Sequence, residues 1–98
     1  MLVTQVRFHL TDPLSYEDAV AIFQSTAPKY EGHPGLVLKH YIRSEDGLTV
    51  GGLYFWENRD AAEATYSTAW REMVREKYGV EPQIEYYDAP VSVDNRGK

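Results

Sequence analysis

The chain has no cysteine, so neither a disulfide nor a zinc–thiolate cluster can brace it. It is also short. At 98 residues it forms one domain of the size that buries only roughly 60–65% of its unfolded surface, which leaves a thin core. No apolar run approaches the ~20 residues of a membrane span, so a membrane is not expected among its partners. Ten basic against 15 acidic residues give a net charge of -5 with no basic patch, which argues against nucleic acid. A strand pattern starts at once, with no basic segment followed by an apolar one. The expected compartment is therefore the cytoplasm. What the chain does have is rings: 8 Tyr, 2 Trp and 3 Phe. That exceeds what a thin core easily hides, so some rings are expected in a subunit interface or a ligand pocket.

Leu2, Val6, Phe8 and Leu10 alternate with Gln5, Arg7 and His9, a period of two that predicts a strand ended by Thr11-Asp12-Pro13. Ser15 reads as an N-cap with Glu17 and Asp18 in the first turn. Tyr16, Ala19, Val20, Phe23 and Ala27 then recur at helical spacing up to Pro28. Residues 29–34 form a loop that leaves His33 exposed. Strands follow over 35–43 and 48–56, joined at Asp46-Gly47, where a primed hairpin turn needs positive φ. The Gly51-Gly52 pair inside the second of these marks a bulge or a close approach to the backbone. Asn58 caps a second helix whose apolar stripe is Ala62, Tyr66, Trp70, Met73 and Val74, ending at Tyr78 with Gly79 as C′. A last strand covers 83–88, and the polar residues 89–98 are expected to be a loosely held tail.

The order is β-α-β-β-α-β, the ferredoxin-like α+β arrangement: an antiparallel sheet with two helices on one face. Both faces of the sheet carry apolar side chains. Tyr41 and Val37 oppose Leu36, Leu38 and Ile42, while Leu53 and Phe55 oppose Val50, Tyr54 and Trp56. The face without helices needs a partner, and a homodimer through the sheet faces, a dimeric α/β barrel, is expected.

Three short segments carry a family resemblance: Pro34-Gly35-Leu36, the alternation Lys39-x-Tyr41, and Gly51-Gly52-Leu53-Tyr54-Phe55-Trp56-Glu57. With the helix of Ala, Tyr and charged residues after them and the Gly79-Val80-Glu81 turn, they resemble the YdhR-type monooxygenases. Those belong to the antibiotic-biosynthesis monooxygenase class of dimeric α/β-barrel proteins. The likeness runs from Pro34 to about Asp94 and more loosely over the first strand and helix. It implies a dimer of ferredoxin-like subunits, each with a ring-lined apolar pocket between helices and sheet. It also implies oxidation of polycyclic phenols by molecular oxygen with no cofactor: no metal, flavin or haem. Other relatives isomerise lactones, cyclise or degrade haem. This chain departs from many members in lacking a helix-borne histidine after the third strand.

His40 is the candidate catalytic base, because a neutral imidazole can take a proton from a phenol or enol. It is read as mid-strand on the face of Leu36, Leu38 and Ile42, where a histidine is more often hydrogen-bonded at the sheet or a subunit contact. Arg7 and His9 share a face and could hold an anionic substrate, or form an edge or interface contact. Tyr54 and Trp56 share a strand face, and Tyr66 and Trp70 a helix face. If the two faces meet they form a slot for a small, flat aromatic molecule, or simply core. Lys39 and Arg43, on the opposite side from His40, are read as solvated or paired across the dimer. The three histidines have no metal-ligand spacing. The leading reading is a cofactor-independent oxygenase acting on a phenolic or quinol-like compound. The alternatives are a non-catalytic binding or stress-response module, and an isomerase or cyclase on the same scaffold.

Overall fold

Local signals place the elements. In a computed structural model that describes residues 1–97, the Ser15 hydroxyl accepts the Asp18 N–H at 3.1 Å and starts α1 (Tyr16–Thr26). The Asn58 carboxamide accepts the Ala61 N–H at 2.8 Å and starts α2 (Arg59–Thr65). Each such cap is worth about 1 kcal/mol. Between β1 (Leu2–His9) and β4 (Gln83–Asp88) lie β2 (Leu36–Arg43) and β3 (Thr49–Trp56), and a 3₁₀ turn (Ala27–Tyr30) prolongs α1. The four strands form one antiparallel sheet in the order β2-β3-β1-β4. This is the expected ferredoxin-like topology. Among the described residues, no helix is long and apolar enough to cross a membrane.

Three local expectations are corrected. The second helix is two helices. Tyr66 leaves the helical path with φ -83 and ψ 50, and the Ser67 hydroxyl accepts the Trp70 N–H at 3.2 Å to start α3 (Thr68–Tyr78), which ends at Gly79 with φ 78. The apolar spacing runs through the break unaltered, so periodicity alone could not show it. The hairpin is a longer loop: Gly47 alone has positive φ, and the Gly47 N–H reaches the Ser44 carbonyl at 2.9 Å, which fits a wider loop and not a primed two-residue turn. Lastly, Leu36 pairs with Trp56 and Leu38 with Phe55, so Val37 is the extra residue of a β-bulge. The bulge moves Leu36 from the face of Leu38 and His40 to the face of Lys39 and Tyr41, where it packs on the core. The Gly51-Gly52 pair sits in unbroken register.

One face of the sheet carries Thr4, Val6, Phe8, Val50, Tyr54 and Trp56, all buried against Ala62 of α2, Tyr66 at the joint, and Trp70 and Val74 of α3. A polar node lies inside this core. The Thr4 hydroxyl accepts Trp56 Nε1–H at 2.9 Å and shares a 2.5 Å hydrogen bond with the Tyr66 hydroxyl. Over the other sheet face, which includes Val3, Leu38, Ile42, Leu53 and Phe55, no element among the described residues is packed. Residues 89–97 form no helix or strand; Lys98, the last residue of the expected tail, lies outside the described residues.

Candidate functional site

The rings do converge. Tyr54 and Trp56 stack in parallel with centroids 5.8 Å apart, Tyr66 meets both edge-on at 5.6 and 5.9 Å, and Trp70 lies 4.7 Å from Tyr66. They divide by role. Trp56 and Tyr66 are held in the core by Thr4, whereas Tyr54 and Trp70 reach a cavity between the sheet, the 3₁₀ turn and α3. Tyr30, Tyr41 and Met73 are among its other walls. Its free volume is about 30 Å³, room for one or two waters. An open concavity of about 350 Å³, lined by His33, Thr65 and Ala69, adjoins it and shares Lys29, Tyr30, Trp70 and Met73. Trp70 Nε1–H donates to the Tyr30 hydroxyl at 3.0 Å, and this pair borders both spaces.

Lining the inner cavity is Lys39, for which the sequence suggested a solvated or dimer-pairing position. The structure corrects that. Its Nζ lies 3.5 Å from the centroid of Tyr30, 3.9 Å from Tyr41 and 4.4 Å from Tyr54. The ring faces attract an ammonium, yet withdrawal from water without a carboxylate partner dominates and lowers its pKa to about 7. Lys29 and Lys77 also line the cavity, and no Asp or Glu among the described residues does. Burial pushes the Tyr41 hydroxyl up and the Tyr54 hydroxyl well up, so both stay protonated at neutral pH. Tyr41 is anchored by a 2.7 Å hydrogen bond to Thr26 and stacks on Phe23 at 4.7 Å. A signal for Lys39 did exist: it alternates with Tyr41 on the strand face that crosses Gly52. What was missing was which face the helices cover.

The other candidates stand elsewhere. His40 is exposed on the open face, its ring edge-on to Phe55 at 6.1 Å, and does not line the cavity. Arg7 pairs with Glu85 on that same face. His9 bridges Thr49 at 3.2 Å and Gln83 at 3.0 Å, tying β1 to both neighbours. His33, expected to be exposed, is half-buried and hydrogen-bonded to the Thr65 hydroxyl at 2.7 Å. Arg43 donates to the Leu14 carbonyl at 2.8 Å and is not solvated as expected. Among the described residues, no group of three or more His, Asp or Glu is placed to hold a metal ion.

No protein-family model matches the chain, and no curated protein is significantly similar to it in sequence. Solved structures do match its fold. A monooxygenase encoded by ActVA-Orf6 of Streptomyces coelicolor, in complex with nanaomycin D, has a TM-score of 0.73 at 19% identity, over 94% of this chain and 89% of that one. SnoaB, a cofactor-independent oxygenase from Streptomyces nogalater, has a TM-score of 0.67 at 16% identity, over 94% and 95%. A proposed antibiotic biosynthesis monooxygenase from Deinococcus radiodurans has 0.69 at 14%, over 99% and 100%. The chain therefore has the ferredoxin-like fold on which antibiotic biosynthesis monooxygenases are built.

Proposed function

We propose that this protein is an oxygenase that works without a resident cofactor on a small aromatic hydroxyl compound. The observation that carries this reading is the ring-walled cavity between sheet and helices, with an open concavity adjoining it. The fold's occurrence in a cofactor-independent oxygenase and in a monooxygenase complexed with nanaomycin D supports it. In such a reaction an ionised phenol or enol is itself the reductant of oxygen. A ring CH2 and O2 give a carbonyl and water, so the four electrons taken up by oxygen come from the carbon and no external donor is needed. The protein's part is to bind, ionise and desolvate. The inner cavity holds only water-sized guests at rest, so a substrate must part the Tyr30–Trp70 pair or displace Lys39. Tyr54 and Trp70 are the ring contacts in this scheme, and Trp56 and Tyr66 support them.

The same reading includes a homodimer closed through the open sheet face. Leu38 and Tyr87 are 37% and 48% exposed there, and the buried Arg7 Nε has no hydrogen-bond partner among the described residues. A second sheet would cover the former and could satisfy the latter. His40, Arg7 and His9 then belong to the subunit contact. The functional test is an oxygen electrode run with metal-free protein and a panel of phenols, naphthols and hydroxyquinones. Oxygen uptake with at least one of them is expected. Saturable binding without any turnover would point to a binding module. Substrate conversion without oxygen loss would point to an isomerase or cyclase.

A further inference from the structure

The inner cavity is cationic in a chain of net charge -5. Three lysines line it and no carboxylate among the described residues does. One of the three, Lys39, sets its ammonium nitrogen against three tyrosine rings. Space for its stem exists because residue 52 has no side chain: a Cβ there would lie 3.1 Å from Lys39 Cε. A lysine is seldom held away from water with no counter-ion, because the charge then lacks compensation. The missing partner is therefore read as the ligand.

We infer that Lys39 is the proton acceptor and anion holder of this cavity, and that the ligand is an acidic aromatic hydroxyl compound bound as its anion. This deepens the function proposed above and rests on its aromatic ligand. The ligand's O–H bond breaks, an N–H bond forms on the lysine, and a phenolate–ammonium pair stays in the cavity with no net change of charge. Lys29 and Lys77 add positive potential. The groups lining the cavity that could compete for the proton are the hydroxyls of Tyr30, Tyr41, Tyr54 and Tyr78. Burial holds those of Tyr41, Tyr54 and Tyr78 in the neutral form.

The chemistry also limits the ligand class. A phenol of ordinary acidity, near pKa 10, is about a thousandfold too weak to protonate an amine of pKa about 7 unaided. A hydroxyl made acidic by a conjugated carbonyl or nitro group is matched to it. Hydroxyquinones and their reduced, carbonyl-bearing relatives are such compounds.

The probe is para-nitrophenol, whose anion alone is yellow, with para-nitroanisole as the matched compound that cannot ionise. In buffer near pH 7, where part of Lys39 is the neutral amine, wild-type protein should raise the yellow absorption of para-nitrophenol in a saturable way. It should bind para-nitroanisole at least about tenfold more weakly, a difference of about 1.4 kcal/mol. Lys39→Met, checked for folding by circular dichroism, should abolish the yellow shift. Lys29→Gln and Lys77→Gln, which keep Lys39, should retain the colour and weaken binding about two- to fivefold. The inference is overturned if bound para-nitrophenol keeps its neutral spectrum, if the anisole binds equally well, if Lys39→Met retains the shift, or if wild-type protein binds neither probe. Oxygen uptake is measured separately. Anion binding without uptake defeats the oxygenase reading alone, and uptake undiminished in Lys39→Met defeats the role of Lys39 alone.

Discussion

Lys39 occupies the volume that a side chain on Gly52 would take: an added Cβ would sit 3.1 Å from Lys39 Cε and 3.1 Å from the Tyr54 ring. The two residues lie on neighbouring strands, Gly52 paired with Tyr41 and Lys39 with Tyr54. The glycine thus acts by what it leaves empty, and its neighbour Gly51 is there for a different reason. A Cβ on Gly51 would fall 1.8 Å from the Val6 carbonyl oxygen, which is backbone and cannot swing aside.

The two glycines should therefore respond differently to one added methyl group. Gly52→Ala should fold, because a flexible lysine end can shift, with a loss of about 1–3 kcal/mol typical of overpacking. Gly51→Ala must push β1 from β3 and should fail to give a cooperative melt. Circular dichroism melting of the two variants side by side is the check. Equal melting temperatures would refute the close approach at Val6.

Stability should rise with pH between about 7 and about 10. Lys39 is lowered from its ordinary 10.5 to about 7 in the folded state, so in that window the unfolded chain binds more protons, and stability is lost as pH falls through it. The slope from one such group is at most about 1.4 kcal/mol per pH unit. Above about pH 10 the trend reverses. Unfolded tyrosines ionise there, while burial holds Tyr54, Tyr66 and Tyr78 protonated, so folded-state stability falls as pH rises. Urea unfolding across this range should show the rise in wild type and a much flatter curve below pH 10 in Lys39→Met.

Much of the fold was readable because local and global signals agree. Ser15, Asn58 and Gly79 mark helix ends by their own chemistry, and the alternation of β1 names its buried face. Two features escaped for physical reasons. The bulge at Val37 is one extra residue in an apolar run, and nothing in Leu36-Val37-Leu38 distinguishes it from regular strand until β3 fixes the register. Ser67 was overlooked as a cap because Tyr66 and Trp70 keep helical spacing across the break. The site was harder. The faces of Tyr54, Trp56, Tyr66 and Trp70 do meet, yet His40 drew the eye because an imidazole is the side chain that ordinarily titrates near neutral pH. Lys39 enters that range only through burial, which no property of an isolated lysine announces. Thr4 likewise looks like a polar interruption of an apolar face. Its role exists only once β1 lies beside β3 and under α2.

Thr4→Val keeps the shape of the side chain and removes the hydroxyl. Trp56 Nε1–H and the Tyr66 hydroxyl then lose their shared partner inside the core. A buried polar group left unpaired costs about 1–3 kcal/mol, so a loss of about 2–4 kcal/mol is expected. In a chain of this size that lowers Tm by on the order of 10 °C or more. A Trp56→Phe, Thr4→Val double variant should lose less than the sum of the two single losses. Additive losses in that cycle would show that the hydroxyl is not coupled to Trp56.

Association through the open face can be tested directly. Wild-type protein should sediment as a dimer, and Leu53→Glu, which sets a charge in the middle of that face, should sediment as a folded monomer. An unaffected dimer would place the contact elsewhere. A wild type that remains monomeric at micromolar concentration would remove the dimer from the proposed function.

The interruption at Tyr66 and Ser67 bears on how a guest could get in. Trp70, Met73, Val74, Lys77 and Tyr78 all ride on the 11-residue α3, while α2 contributes nothing to the inner cavity. Tyr66, at the joint, is moored to Thr4 at the sheet. A short rod pivoting about a fixed hinge can swing outward and return without melting its own backbone ladder, and the neighbouring α2 can stay docked as it does so. Admission of a bulky ring system thus becomes a rigid-body event of one segment rather than an unfolding event of the domain.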